Sequence, residues 1–236
     1  MALHSIEHHE HYSLAIWKME ESAEVLSSLL DAALPGVTTS CPHIVCPHTA
    51  EKRRQEFYAC RLAALQLGIN PLSIEKHPDG HPVLNDGSGF ISFSHSRDFA
   101  AVLFSSQKDH IGIDIETASP RLLKAAQKYM NGKELAHIEA FFPDEKAKIE
   151  ALTLYWCIKE ALFKAVQSGK IDFQQSFQIE LVETVKSEGS LKASHKDSHF
   201  RLDYRFDGES MLCVCMEEKS LPVLQHYPDN DGRAYQ

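Results

Sequence analysis

The chain lacks any run approaching the ~20 consecutive apolar residues that cross a bilayer, although 43% of its 236 residues are hydrophobic. Its opening, "MALHSIEHHEHYS", lacks the basic-then-apolar order of a secretion signal, so a cytoplasmic protein is expected, with its early histidines in a mobile polar start. Cysteine is sparse. Six residues do not make a disulfide scaffold in a chain of this length, and Cys213 and Cys215, two apart on a predicted strand, are not placed to bond to each other. Positive charge is in deficit too: a formal net charge of −9 excludes a general nucleic-acid binder, because affinity for a polyanion comes from Lys and Arg neutralising phosphates. An anionic partner must then meet a local basic patch. The clearest is "EKRRQEFYACR", with Lys52, Arg53, Arg54 and Arg61 on a predicted helix; a solvated helix face is the competing explanation.

What is present suffices for a well-buried core, as one large domain or two lobes of roughly 110 residues. The first half reads as a strand in "HYSLAIWKM", a helix in "EESAEVLSSLLDAAL" with Val25, Leu26, Leu29 and Leu30 at helical spacing, and a second helix from Ala50 to about Gln66, with Phe57, Leu62 and Leu65 inward and ended by Gly68. "EKHPDGHPVL" reads as a tight turn between extended pieces, and "FISFSHS" and "AAVLFSS" as strands joined through Arg97-Asp98. The second half opens on the strand "HIGIDIE", has helical stretches from Pro120 and Gly132, and reaches the strongest helix, "EKAKIEALTLYWCIKEALFKAVQSG". "SFQIELVE", "HFRLDYRF" and "SMLCVCME" then alternate as an antiparallel meander, followed by a polar tail. The pattern is α+β, with a lobe boundary near Gln107-Asp109 and no sequence repeat between the halves.

Three carboxylates stand out. In "HIGIDIE" a period of two buries Ile111, Ile113 and Ile115 on one face and sets Asp114 and Glu116 together on the other, their Cβ atoms roughly 7 Å apart. Two such acids repel when buried unless they share a cation; a solvent-facing strand edge is the alternative. On the long helix, Thr153, Cys157, Glu160, Lys164 and Gln167 form a polar stripe, in which Glu160 and Lys164 are either an ordinary one-turn ion pair or part of a site. Asp114, Glu116 and Glu160 together would make an all-oxygen site suited to Mg2+. His95, between Ser94 and Ser96, is either a phosphate contact or a satisfied core histidine. Cys41, His43, Cys46 and His48 have the side chains for zinc, but their spacing and two prolines match known zinc modules poorly.

"IGIDIE", followed about forty residues later by "WCIKEALFKA", closely resembles the two signature motifs of the 4′-phosphopantetheinyl transferases, Gly-Ile/Val-Asp-x-Glu and Trp-Ser/Cys-x-Lys-Glu-Ala-x-x-Lys. Length, "DGHPVL" and "ISFSHS" resemble the larger, surfactin-synthetase-activator branch. The resemblance implies two similar lobes in one chain, a pseudo-dimer. Each lobe would pack a long helix on a small, mostly antiparallel sheet, with the active site between them. Residues 1–108 would form the N-terminal lobe, holding the coenzyme A nucleotide, and residues 109–236 the C-terminal lobe with the metal site and catalytic helix. It further implies transfer of the 4′-phosphopantetheine arm of coenzyme A to a serine of an apo acyl or peptidyl carrier protein, releasing adenosine 3′,5′-bisphosphate. Asp114, Glu116 and Glu160 would hold Mg2+; Glu160, Lys164 and Asp114 would carry catalysis. Arg53, Arg61, Gly80, Pro82, Ser94, His95 and Lys164 would contact coenzyme A. His81 departs from the family pattern, which has lysine there. A carrier-docking surface is expected around Lys124, Lys128 and Tyr129, and a monomer, since two lobes form the cleft unaided. A Mg2+-dependent phosphatase or nuclease, or a non-catalytic module binding coenzyme A or a carrier protein, are the competing functions; neither a nucleic-acid nor a membrane partner is expected.

Overall fold

The computed structural model describes residues 3–37, 50–107, 110–167 and 170–218. Before residue 108 the chain forms β1 (Leu3–His8), β2 (Ser13–Lys18), α1 (Ala23–Ala33), α2 (Glu51–Gln66), β3 (Ile74–Lys76), β4 (Pro82–Leu84), β5 (Phe90–His95) and β6 (Phe99–Ser105). After residue 109 it forms β7 (Ile111–Thr117), α3 (Arg121–Tyr129), α4 (Gly132–Phe141), α5 (Glu145–Val166), β8 (Gln178–Ile179), β9 (Glu188–His195), β10 (Ser198–Phe206) and β11 (Ser210–Glu218). Antiparallel pairing gives one sheet in the order β1-β2-β6-β5, a second in the order β7-β11-β10-β9-β8, and the β3-β4 hairpin. Each half thus carries its own sheet with a long helix against it, the α+β architecture expected.

Strand alternation stacks these parts into layers. On β2, Ala15 and Trp17 face α1 and α2, while Leu14 and Ile16 face the second sheet; on β6, Ala100 and Val102 take the first side, Ala101 and Leu103 the second. Ile111, Ile113 and Ile115 of β7, with Leu212 and Val214 of β11, complete that inner layer. The order is helices, sheet, sheet, helix, with α5 covering the outer face of the second sheet through Leu154, Ile158, Ala161 and Leu162. Because β2 and β6 are covered on both faces, their middles read as nearly continuous apolar runs, whereas β7 keeps its alternation and turns Asp114 and Glu116 toward α5. Helices α3 and α4 close against the first half of α5 through Leu122, Tyr129 and Ile138.

Two details bring α5 and β5 onto β7. A Cβ on Gly112 would lie 1.9 Å from the Ala161 carbonyl oxygen, so glycine is what lets helix and strand approach this closely. On the opposite edge of β7, the Ile113 and Ile115 N–H groups donate to the Ser92 and Ser94 hydroxyls (both 3.2 Å). Serine side chains therefore satisfy the strand edge that sheet pairing leaves open, which accounts for the alternating serines of "FISFSHS".

Several expectations need correction. The start of the chain is not mobile from Leu3 on: it is β1, which pairs with β2. Val25 points to solvent, and Leu26 and Leu30 carry the α1 contact. The meander has an additional strand, β9, between β8 and β10. Cys41, His43, Cys46 and His48, and the tail beyond Glu218, lie outside the described residues. Among the described residues no helix is long and apolar enough to cross a membrane, and Cys60, Cys157, Cys213 and Cys215 are buried free thiols.

Candidate active site

Three elements meet at the proposed acids. Asp114 and Glu116 come from β7, Glu160 and Lys164 from α5, and Ser94 from β5. Asp114 is buried, and its Oδ1 accepts from Ser94 Oγ and from Lys164 Nζ, both at 2.7 Å. Lys164 also donates to Ser94 Oγ (3.0 Å) and to the Ile113 carbonyl (2.8 Å), so the three protons of its ammonium group all have acceptors. Ser94 gives one hydrogen bond and accepts two, which exhausts a hydroxyl. These bonds tie Ser94 to Asp114, Lys164 and the β7 backbone. The Cys157 thiol donates to the Asp114 carbonyl (3.2 Å), further fixing helix to strand.

The ion pair here is Lys164 with Asp114 across the helix–strand contact, not the one-turn pair with Glu160 that helix spacing suggests. Glu116 binds Arg121 Nη2 at 2.6 Å. Arg121 is 71% exposed and can leave for solvent at little cost. Burial, then the charge of Asp114, push the Glu160 carboxyl up to about 6, with Glu116 adding and Lys164 opposing. Burial and Asp114 likewise raise Glu116 above the ordinary carboxylate range, against Arg121 and Trp156.

These observations bear on a metal. Asp114 Oδ2 is buried without a hydrogen-bond partner, and the charge of Asp114 helps raise the pKa of both Glu116 and Glu160, so the cluster carries negative charge that its lysine and arginine do not cancel. An all-oxygen donor set with that imbalance fits a hard divalent cation. The oxygens are nonetheless spread: among the described residues the set of three metal-binding side chains whose donor atoms all lie within 4.8 Å is His77, Asp79 and His81, not the three acids. Lys164 and Arg121 each hold one of the acids by an ion pair.

The remaining expected contacts lie around α2. Arg61 stacks its guanidinium 3.3 Å above the Phe57 ring, and Arg53 is exposed two turns earlier. His95 is half exposed and sits 3.4 Å from Glu56. Gly80 occupies the β3–β4 turn at φ +100, and Pro82 begins β4. His81 is drawn below the usual histidine range by burial and by His77, so it does not stand in for a lysine cation near neutral pH. Tyr129 is in the core, its hydroxyl donating to the Leu152 carbonyl; it belongs to no docking surface, whereas Lys124 and Lys128 are exposed.

The comparisons with known proteins can be set against this geometry. Residues 110–215 match the model of the 4′-phosphopantetheinyl transferase superfamily, and residues 42–105 that of the 4′-phosphopantetheinyl transferase N-terminal domain. The chain belongs to this superfamily. The N-terminal-domain match sets it with the larger, surfactin-activator type. No curated protein matches it.

Sequence reasoning about the transferase missed Lys159. This lysine is fully buried and donates to Glu134 Oε2 (2.7 Å), the Tyr129 carbonyl (2.9 Å) and the Phe173 carbonyl (2.9 Å). It ties the end of α3, the first turn of α4 and the segment after α5 to the helix that carries Glu160. The signal available was a charged residue between Ile158 and Ala161 on a helix apolar nearly all round; such a charge must be paired.

Proposed function

We propose that the chain moves the 4′-phosphopantetheine arm from coenzyme A to a serine hydroxyl of an apo carrier protein, in a Mg2+-dependent reaction. The observation that carries this reading is the meeting of Asp114, Glu116, Glu160 and Lys164 where β7 and α5 cross, on a chain whose two matched regions both belong to the transferase family. Asp114 through its unpartnered oxygen, Glu116 and Glu160 would hold the ion. Bound there, Mg2+ would neutralise charge building on the leaving phosphate.

The chain's own groups account for the rest. The carrier serine oxygen bonds to the phosphorus that bears the pantetheine arm; the bond from that phosphorus to the bridging oxygen breaks, and adenosine 3′,5′-bisphosphate leaves. Glu160, with its raised pKa, would accept the serine proton directly or through a water. Lys164 would turn part of its hydrogen bonding from Asp114 toward phosphoryl oxygens. In the first lobe, Arg61 and Arg53 would grip the 3′-phosphate, His95 would steady the nucleotide, and Gly80 and Pro82 would lie beside the adenine. In this reading the lobes would divide near residues 107–109, with the nucleotide contacts before that point and the acids after it. The carrier, usually acidic, would have to meet a local basic surface such as Lys124 and Lys128, since the transferase is itself acidic overall. Incubation with coenzyme A, Mg2+ and several apo carrier proteins, followed by intact-mass analysis, tests the reading. A carrier heavier by one phosphopantetheine arm supports it; coenzyme A hydrolysed with every carrier unchanged overturns it.

A further inference from the structure

The turn between β3 and β4 gathers two imidazoles and a carboxylate away from the acid cluster. Its backbone closes through His77 N–H to the His81 carbonyl (2.9 Å) and Gly80 N–H to the His77 carbonyl (2.8 Å). Gly80, at φ +100, takes a left-handed conformation that side-chain-bearing residues disfavour. Closure sets the His77 and His81 rings against each other with centroids 4.4 Å apart and brings His77 Nδ1 to 3.2 Å from Asp79 Oδ2. One donor atom from each of the three residues lies within 4.8 Å of the other two. Ligands bound at the ~2.0–2.1 Å of zinc sites stand about 3.4 Å apart along a tetrahedron's edge. The His77–Asp79 pair is already near that spacing at 3.2 Å, and the His81 donor atom lies within 4.8 Å of both, so binding needs only a small closing movement of His81. His77 and Asp79 are 44% and 71% exposed, which leaves room for water to complete the coordination.

We infer that this turn binds a borderline divalent transition-metal ion, zinc in the first instance, through His77, Asp79 and His81. Two imidazoles and one carboxylate suit zinc and disfavour Mg2+, which takes oxygen ligands. The molecule would then separate two metal chemistries, a hard ion at the acids and a borderline ion at the turn. Resting on the function proposed above, the ion would also supply positive charge beside the nucleotide, at the position where His81 replaces the lysine usual in the family.

Calorimetric titration of the full chain with Zn2+, without coenzyme A or Mg2+, tests the site. The wild type is expected to bind one equivalent more than the double variant His77→Ala/His81→Ala, and Asp79→Asn to bind that equivalent at least ~10-fold more weakly. Any zinc held by Cys41, His43, Cys46 and His48 is common to all three chains, and circular dichroism checks that the variants keep their fold. Equal stoichiometry and affinity in wild type and double variant overturn the site. Coenzyme A titrations with and without one equivalent of Zn2+ test the link to the nucleotide: tighter binding with zinc in the wild type alone supports it. Zinc bound with coenzyme A affinity unmoved overturns the link but leaves the site. No coenzyme A binding in any chain overturns the proposed function and leaves the zinc result standing.

Discussion

Glu160 concentrates the electrostatic cost of the site. With its folded pKa raised to about 6 from an ordinary 4.5, the native state holds this proton longer than the unfolded chain does. Its stabilising share is therefore complete below about pH 4.5, declines as pH rises, and is gone above about 6, where the ionised carboxylate costs on the order of 1–2 kcal/mol. Glu160→Gln removes that charge. The metal-free variant is expected to melt above the wild type near pH 7.5 and to show a flatter stability profile between pH 4.5 and 6; circular dichroism melts in a chelator across that range check it. The pairing of Asp114 with Glu116 was legible from a period of two. The partner of Lys164 was not, because helix spacing points to Glu160 while the close approach of β7, a tertiary event, supplies Asp114.

Among elements, the α5–β7 contact decides whether the acids meet. Gly112→Ala puts a Cβ 1.9 Å from the Ala161 carbonyl oxygen and 2.8 Å from the Ala165 nitrogen, both α5 backbone that cannot swing aside, and is expected to destabilise the chain by at least ~3 kcal/mol and to abolish transfer. Chemical denaturation and a transfer assay read the two effects. Lys159→Met leaves Glu134 buried and unpaired, at an expected cost of about 3–5 kcal/mol; the double variant Lys159→Met/Glu134→Gln should recover much of that loss, which denaturant midpoints would show. Helix α5 was legible because its apolar periodicity runs for six turns' worth of sequence and ends in a left-handed Gln167. Strands β1 and β9 were not. "LHSIEH" has one half-covered face and polar residues between, and "EGSLKASH" offers only Leu191 and Ala193 to the core, so neither announces itself without its neighbours.

For the whole molecule, Leu14, Ile16, Ala101, Leu103, Ile111, Ile113, Ile115, Leu212 and Val214 form an inner layer shared by the two sheets, from which unfolding as one cooperative unit is expected. The two tryptophans report on separate halves, Trp17 in the first sheet's core and Trp156 on α5. Thermal unfolding followed by fluorescence in Trp17→Phe and Trp156→Phe, each calibrated by circular dichroism of the same variant, should give optical and structural midpoints that coincide in both; separate midpoints would mean that the halves unfold independently. The order of strands and helices made the α+β pattern of each half readable and the family resemblance implied a sheet in each, but the layering was not legible, because a strand buried on both faces looks the same whichever partner covers it. The central claim is that Asp114, Glu116 and Glu160 act together on one cation to drive arm transfer. An intact-mass time course of apo carrier modification at saturating Mg2+ and coenzyme A tests it most directly, comparing the wild type with Asp114→Asn, Glu116→Gln and Glu160→Gln. The wild type should add one phosphopantetheine arm, with each variant slowed by at least ~100-fold while remaining folded; near-normal modification by any of the three would contradict the account.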